Sequence, residues 1–387
     1  ALRTADRARS GDRSLMRVAL VHDWLTGMRG GERVLERLIQ LFPSAELFTL
    51  VHIPGAVSPT IEARPIHASW LNRMPRIART YRYYLPLMPR AVEQFDLRGF
   101  DLVISSSHCV AKGVRVPANV PHLCYCHTPM RYLYDQADAY TSRWPWPVRT
   151  SLNVVSGRLR RWDIATARRV QRFIANSTHV RERIRSIYRR DATVIHPPVD
   201  VDRVQPAARR EDYYATVSAL VPYKRVDLLV SAFNRLGRRL LVVGSGPEQS
   251  RLARMARPNI TFTGRITDAE VAQLLSRARA FVFAGVEDFG IAMVEAQAAG
   301  TPVIAFAAGG ALETVVDAPG AAATGVLFRA QTPESIMAAV MAAEGRTFQP
   351  AMLQQHARAF RPERFLNALR AEVDMLLAGA PPELATA

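Results

Sequence analysis

Short apolar runs alternate with helical patterns along most of the chain. Arg17 to His22 (RVALVH) is a β-branched apolar run that ends in a Gly-containing loop, and Val34, Leu38 and Leu41 then fall at the i, i+4, i+7 spacing of a helix over Glu32 to Leu41. The same order of strand, loop and helix recurs. Leu102 to Ser105 and His122 to Cys126 predict strands, Arg158 to Arg172 a helix, and Phe173 to Asn176 a further strand. Strands that alternate with helices predict a mostly parallel sheet covered on both faces.

A second series follows His196 to Pro206 (HPPVDVDRVQP), a stretch with three prolines and no helical period, which predicts a linker. Tyr214 to Ser218, Leu240 to Val243, Ile260 to Phe262, Ala280 to Phe283 and Val303 to Ala305 are each short, apolar and followed by a helical pattern. Thr332 and Pro333 predict the N-cap and first turn of a helix that Gly345 closes. Apolar positions 365, 366, 369, 373, 376 and 377 mark one face of a last helix, Phe365 to Leu377. The chain therefore reads as α/β, with two doubly wound domains in tandem. Residues 17–200 and 207–360 are the expected domains, and residues 361–380 a helix that packs back toward the first. A length of 387 residues suits two domains.

Composition narrows the class. The chain is 49% hydrophobic and 22% charged, the balance of an ordinary globular protein. No apolar run reaches the roughly 18 residues that span a bilayer, and Ala1 to Met16 is polar and Arg-rich, so neither a membrane span nor secretion is expected. Cys109, Cys124 and Cys126 suit free thiols in a reducing compartment. Residues 1–200 hold 31 basic against 16 acidic side chains, so +15 of the net +17 lies in the first half. That asymmetry points to an anionic partner there: nucleic acid, an anionic membrane surface or a phosphorylated substrate. Of the 51 basic residues only Lys112 and Lys224 are Lys. Either they survive by chance, or a compact flexible ammonium is needed where a planar guanidinium would not fit.

The candidate chemistry sits in loops at predicted strand ends. Phe281 to Ala305 (FVFAGVEDFGIAMVEAQAAGTPVIA) reads as strand, loop, helix, Gly stop and strand. A helix that starts near Phe289 to Ile291, at the carboxyl end of a parallel strand, offers backbone N–H groups and its dipole to a phosphate, and Gly290 lets the backbone approach closely. Glu287 in the loop and Glu295, two turns along, can accept hydrogen bonds from sugar hydroxyls; the competing reading is a solvated Glu287 and a Glu295 that supports its own helix. Gly30 and Gly31 (TGMRGGE) suit a loop pressed on an anion but lack a dinucleotide fingerprint. Lys224 (SALVPYKRVDLLV) can reach a diphosphate, while VVGSGPE (residues 242–248) and FTGR (residues 262–265) are Gly loops that either meet a ligand or only turn. His127 (YCHTPMRYLY) is placed for sugar contact or proton transfer, or is bonded locally. Trp70 to Tyr84 (WLNRMPRIARTYRYY) and Arg158 to Trp162 (RLRRW) interleave Arg with aromatics, as an anionic membrane, a single-stranded nucleic acid or a solvated face with core aromatics would each allow.

Together these segments resemble the retaining glycosyltransferases of family four, two-domain GT-B enzymes that move a sugar from a nucleotide diphosphate. The motifs that carry the resemblance are Gly30-Gly31, His127, VPYKR, VVGSGPE, FTGRITD, EDFGIAMVEA and GTPVIAFAAGG, in the family's order over residues 17 to 375. In detail, VHDWLTGMRGGERVLE, YCHTPMRYLYD and SALVPYKRVDLLV look like bacterial GDP-mannose-dependent mannosyltransferases of O-antigen and exopolysaccharide assembly. The resemblance implies two Rossmann-like domains facing a central cleft and closure about the His196 to Pro206 hinge. It places Gly30, Gly31, Lys224, Phe289, Gly290 and Ile291 at the donor phosphates. It places His127 and Glu287 at the transferred sugar, Glu295 at the ribose, and Gly264, Arg265 and Ile266 at the base. Where the family has an Arg ahead of the Lys, this chain has Ala219, and Arg225 is the nearest substitute.

No metal and no cofactor beyond a nucleotide-sugar donor, most simply GDP-mannose, is expected. Asp200 and Asp202 sit in the Pro-marked linker and read as a turn. The expected acceptor is a polyprenyl-diphosphate-linked glycan, met in the cytoplasm at the inner face of the cytoplasmic membrane, which the basic first domain would contact. The alternatives are a UDP- or ADP-sugar donor on the same fold, or a nucleic-acid-binding protein. The second leaves the Gly loops at strand ends unexplained, so nucleic acid is not the expected partner.

Overall fold

The computed structural model describes residues 16–134 and 146–379; the Arg-rich stretch before Met16 lies outside them. The chain divides into two compact units. One comprises residues 1–198 and 365–387, the other residues 199–364.

The first unit is built on seven strands: β1 (Val18–His22), β2 (Glu46–Thr49), β3 (Ile66–Ala68), β4 (Leu102–Ser107), β5 (His122–Cys126), β6 (Arg172–Ala175) and β7 (Ala192–Val194). Their spatial order is β3-β2-β1-β4-β5-β6-β7 and every pairing is parallel. β1, β4 and β5 are buried along their whole length. A central parallel strand is covered on both faces, and for that reason Val18 to Val21 and Leu102 to Ile104 read as continuous apolar runs, with polar side chains gathering at the carboxyl ends.

The second unit repeats the plan with β8 (Tyr214–Val217), β9 (Leu240–Val243), β10 (Ile260–Gly264), β11 (Ala280–Phe283), β12 (Val303–Phe306) and β13 (Gly325–Phe328). Its order is β10-β9-β8-β11-β12-β13, again all parallel. Tyr214, Leu229, Phe233, Leu240, Val282, Ile304 and Val340 form its main core. In each sheet the strand order reverses at one point, between β1 and β4 and between β8 and β11. The two connections leave in opposite directions there and open a crevice at the carboxyl ends of the strands.

The last helix, Pro362–Leu377, begins in the second unit and lies mostly in the first. Phe365, Leu369 and Val373 enter the core around Leu20, Leu38 and Tyr125, and each such burial contributes about 1.5–3 kcal/mol. Arg172 and Glu372 hold the same face through a buried 2.9 Å ion pair. Thr332 caps the Pro333–Glu344 helix by accepting from the Ser335 N–H.

Element bounds differ from expectation in instructive places. The first helix starts at Gly30, not Glu32, and the helix expected over Arg158 to Arg172 runs from Trp146 to Ala167. Arg172 belongs to β6, where it pairs with Leu123 of β5, and its guanidinium is buried against Glu372, 200 positions away. Asp202 lies in a short turn, Val201–Arg203, and binds Arg361 at 2.6 Å. Among the described residues no helix is long and apolar enough to cross a membrane.

Candidate functional site

In the first unit, the ends of β1, β4 and β5 bring together polar side chains from four segments. Asp23, directly after β1, is fully buried. Its carboxylate accepts from the backbone N–H groups of His108, Cys109, Val110 and Ala111 at 2.7–2.9 Å and faces His108 Nδ1 at 3.1 Å. A charged acceptor taking four N–H bonds fixes the loop after β4. His127 follows β5, with its Nε2 2.8 Å from Ser106 Oγ on β4. The other side of Ser106 Oγ meets His22 Nδ1 at 3.1 Å.

The Gly30–Leu41 helix brings its first turn to this cluster. A Cβ on Gly31 would lie 3.5 Å from His22 Cε1 and 3.7 Å from His127 Nε2, so the structure places Gly31 and His127 together. Arg29 gives the helix no side-chain cap, which leaves first-turn N–H groups for an anion. Burial pushes the His127 pKa well down, and the neighbouring His108 and His22 push it further. His127 is therefore neutral at pH 7. Burial likewise lowers His108 against the pull of Asp23. Burial raises Glu32, but the neighbouring His22, 3.6 Å away, and His108 outweigh that and hold it below the usual carboxylate range.

In the second unit the loops after β8 and β11 meet. Lys224 donates to the Glu287 carboxylate and lies over the rings of Tyr223 and Phe283, 5.1 and 5.7 Å from their centroids. A Cβ on Gly285 would lie 3.0 Å from the Lys224 Cα and carbonyl oxygen, so any larger residue would push the two loops apart. The β12 loop supports Glu287 from the other side: Gly310 N–H donates to the Glu287 carbonyl at 2.9 Å, and a Cβ on Gly310 would fall 2.2 Å from the Phe289 carbonyl oxygen. VVGSGPE presses on SALVPYK in the same way, through Leu220 N–H to Ser245 O at 3.0 Å and Glu248 N–H to Leu220 O at 3.1 Å.

Gly290 has φ +96° and forms the N-cap of the Ile291–Ala298 helix without a side-chain cap. Phe289 turns its ring into the core against Phe360. Glu295 is half-buried and only one turn into the helix; the two-turn separation from Glu287 expected earlier does not hold, because the helix starts at Ile291. Arg225 adopts a left-handed φ of +53° and pairs with Asp227 at 3.3 Å. Gly264, an exposed Arg265 and Ile266 stand at the end of β10, three strands from β11. Ala219 is exposed and brings no charge.

The second lysine has a different task. Lys112 is buried, with Nζ 2.6 Å from Asp163 Oδ1, while Tyr134 and Tyr188 hydroxyls donate to Asp163 Oδ2 at 2.9 Å. Among the described residues no cluster of three or more His, Cys, Asp or Glu is arranged to hold a metal ion.

Solved structures share this fold over nearly the whole chain. Sucrose-phosphate synthase from Thermosynechococcus elongatus matches with a TM-score of 0.70 at 20% identity, covering 94% of this chain and 100% of that one. Anabaena HepE, solved in complex with UDP and glucose, matches at TM-score 0.65 and 17% identity, covering 92% and 98%. The fold is GT-B. Along this GT-B chain, residues 28–203 match the family described as Glycosyltransferase Family 4 and residues 200–359 that described as Glycosyl transferases group 1. Both halves thus match glycosyltransferase families.

A Corynebacterium glutamicum protein, the GDP-mannose-dependent monoacylated alpha-(1-6)-phosphatidylinositol monomannoside mannosyltransferase, is 32% identical over 236 residues, 51% of this chain and 61% of its own length. The GDP-mannose-dependent alpha-(1-6)-phosphatidylinositol monomannoside mannosyltransferase of Mycolicibacterium smegmatis is 36% identical over 173 residues, 36% of this chain and 45% of its own. The GT-B chain thus spans about half the length of these relatives.

Proposed function

We propose that the protein is a retaining glycosyltransferase that moves mannose from GDP-mannose to a polyprenyl-diphosphate-linked oligosaccharide in surface-polysaccharide synthesis. The observation that carries the reading is Lys224 bonded to Glu287 at the strand-order reversal of the second sheet, beside the uncapped N-terminus of Ile291–Ala298. A cation and aligned N–H donors suit a diphosphate, and a carboxylate beside them suits sugar hydroxyls. Mannose and guanine are supported by two relatives that carry GDP-mannose in their names.

In this reading Lys224 and the backbone of Phe289 to Ile291 meet the charge that develops on the leaving diphosphate. Glu287 holds the transferred sugar and Glu295 the ribose. Gly264, Arg265 and Ile266 line the base, the Gly30-Gly31 helix start lies at the phosphates, and His127 contacts the sugar. The acceptor hydroxyl attacks the face from which the nucleotide leaves, with no covalent nucleophile on the protein. Arg225, bound to Asp227, is the weaker candidate for a second cation. The acceptor is met at the inner face of the cytoplasmic membrane, through exposed Trp70, Tyr83 and Leu87 and the exposed Arg73, Arg76, Arg79 and Arg82 around them.

Calorimetric titration with GDP, UDP and ADP tests the donor. Preference for GDP supports the reading. Preference for UDP or ADP keeps the glycosyltransferase and removes mannose, and binding of none, with salt-sensitive binding to oligonucleotides, would replace the enzyme reading with nucleic-acid binding.

A further inference from the structure

Four buried or half-buried groups of the first unit stand in a row. Glu32 Oε1 lies 3.6 Å from His22 Nε2, His22 Nδ1 lies 3.1 Å from Ser106 Oγ, and Ser106 Oγ lies 2.8 Å from His127 Nε2. Glu32, His22 and Ser106 are 3%, 2% and 1% exposed, so water cannot easily substitute for any link. The row joins the first helix to β1, β4 and the β5 loop, and nothing in the proposed reaction yet uses its inner members.

We propose that the charge of Glu32 on His22, passed on through the two hydrogen bonds His22–Ser106 and Ser106–His127, fixes His127 as the Nε2–H tautomer, leaving Nδ1 as an acceptor on the opposite edge of the ring. The direction follows from counting protons. A carboxylate can only accept, and a serine hydroxyl holds one proton, so Ser106 can donate to one imidazole and must accept from the other. His22 Nε2 is buried without a hydrogen-bond partner and faces the Glu32 carboxylate at ion-pair distance. The negative charge favours the proton on that nitrogen and leaves His22 Nδ1 with its lone pair. Ser106 then donates to His22 Nδ1, and its oxygen accepts from His127 Nε2–H.

Among the described residues, the rings and polar groups nearest His127 have other partners. The His108 ring lies 6.1 Å from that of His22 and 6.3 Å from that of His127, and its Nδ1 is held by Asp23. Arg29 acts on His108 through its charge. Tyr125 packs edge-on to His127 at 5.2 Å but donates its hydroxyl to the Ile195 carbonyl. Asn176 reaches only the His127 carbonyl.

For the function proposed above, on which this consequence rests, His127 receives a hydrogen bond from a sugar hydroxyl rather than giving one. Ser106, His22 and Glu32 are then positioning residues.

The test is imidazole nitrogen NMR on the full-length protein labelled at histidine, with His127 assigned through a His127→Asn variant. The wild type should show a protonated Nε2 and a bare Nδ1 at His127. Ser106→Ala, and separately Glu32→Gln, should turn His127 into a mixture of tautomers, and Ser106→Thr, which keeps the hydroxyl, should restore the wild-type state. With GDP-mannose as the probe, Ser106→Ala should lower kcat for its turnover on the order of tenfold to a hundredfold, the range seen for outer partners of a positioned imidazole, with GDP affinity unchanged.

A bare Nε2 at wild-type His127, or an unmoved tautomer in folded Ser106→Ala and Glu32→Gln, overturns the chain. The expected tautomers in a protein that neither binds nor turns over GDP-mannose support the chain and overturn the donor assignment alone.

Discussion

Lys224 donates a hydrogen bond to the Glu287 carboxylate across the ends of β8 and β11, two strands that are neighbours in space and far apart in sequence. Two opposite charges are thereby held ready in the crevice, each partly shielded from water, at 12% and 25% side-chain exposure. Lys224→Ala should weaken GDP binding by about 1.5–3 kcal/mol, the worth of one charge-assisted hydrogen bond, which calorimetry reads as roughly a ten- to hundredfold rise in Kd. Equal affinity in wild type and variant takes Lys224 out of the phosphate site. Glu287→Gln should instead spare GDP, which lacks the transferred sugar, and reduce turnover of GDP-mannose.

Lys112 and Asp163 make a pair of the other kind. Both side chains are buried, and Asp163 is also bound by Tyr134 and Tyr188. Lys112→Met would leave a buried carboxylate without its counter-charge, at a cost of about 3–5 kcal/mol. Denaturant unfolding should show a midpoint well below that of the wild type with an unchanged slope. A midpoint within the scatter of the wild type would mean that the tyrosines alone stabilise Asp163.

These contacts also explain what the sequence could and could not reveal. The central strands are legible because a strand covered on both faces is apolar along most of its length, as Val18 to Val21 are. β3 and β7 are three residues each and only half-buried or exposed, too short to stand out from the loops around them. Glycines and charged residues at strand ends mark where the crevices lie. Their partners are invisible in one dimension: Asp23 acts on residues 85 to 88 positions ahead, and Ser106 joins histidines 84 positions behind and 21 ahead. Gly285 looks like any turn glycine until the Lys224 backbone is seen against it.

Acid should destabilise the protein through its buried histidines. Burial, aided by the nearby Lys112 charge, pushes His122 down to about 3, and burial lowers His127 and His108 as well. These groups stay neutral in the folded state while the unfolded chain takes up protons near the ordinary value of about 6.5. Their contribution is complete above that pH and declines as pH falls from about 6.5 toward 3, by up to about 1.4 kcal/mol per pH unit for each group. Unfolding free energy measured between pH 7 and 4 should fall accordingly, and His122→Gln should flatten the slope. A profile that is level across this window in the wild type contradicts neutral burial of these rings.

The Arg and aromatic stretch after β3 makes the membrane part of the proposed function measurable by itself. Trp70, Tyr83 and Leu87 are exposed at 36, 71 and 40%, along short helical turns that carry exposed Arg73, Arg76, Arg79 and Arg82. Each basic residue near an anionic leaflet adds about 1 kcal/mol, and the rings suit the headgroup level. Co-sedimentation should therefore show binding to vesicles rich in phosphatidylglycerol, little binding to pure phosphatidylcholine, and loss on raising the salt. Reversing Arg73, Arg76, Arg79 and Arg82 together to Glu should abolish vesicle binding and leave GDP affinity as it is, since none of the four is among the residues assigned to the donor. If the reversed protein still sediments with anionic vesicles, the positive charge of this stretch serves something other than a lipid surface.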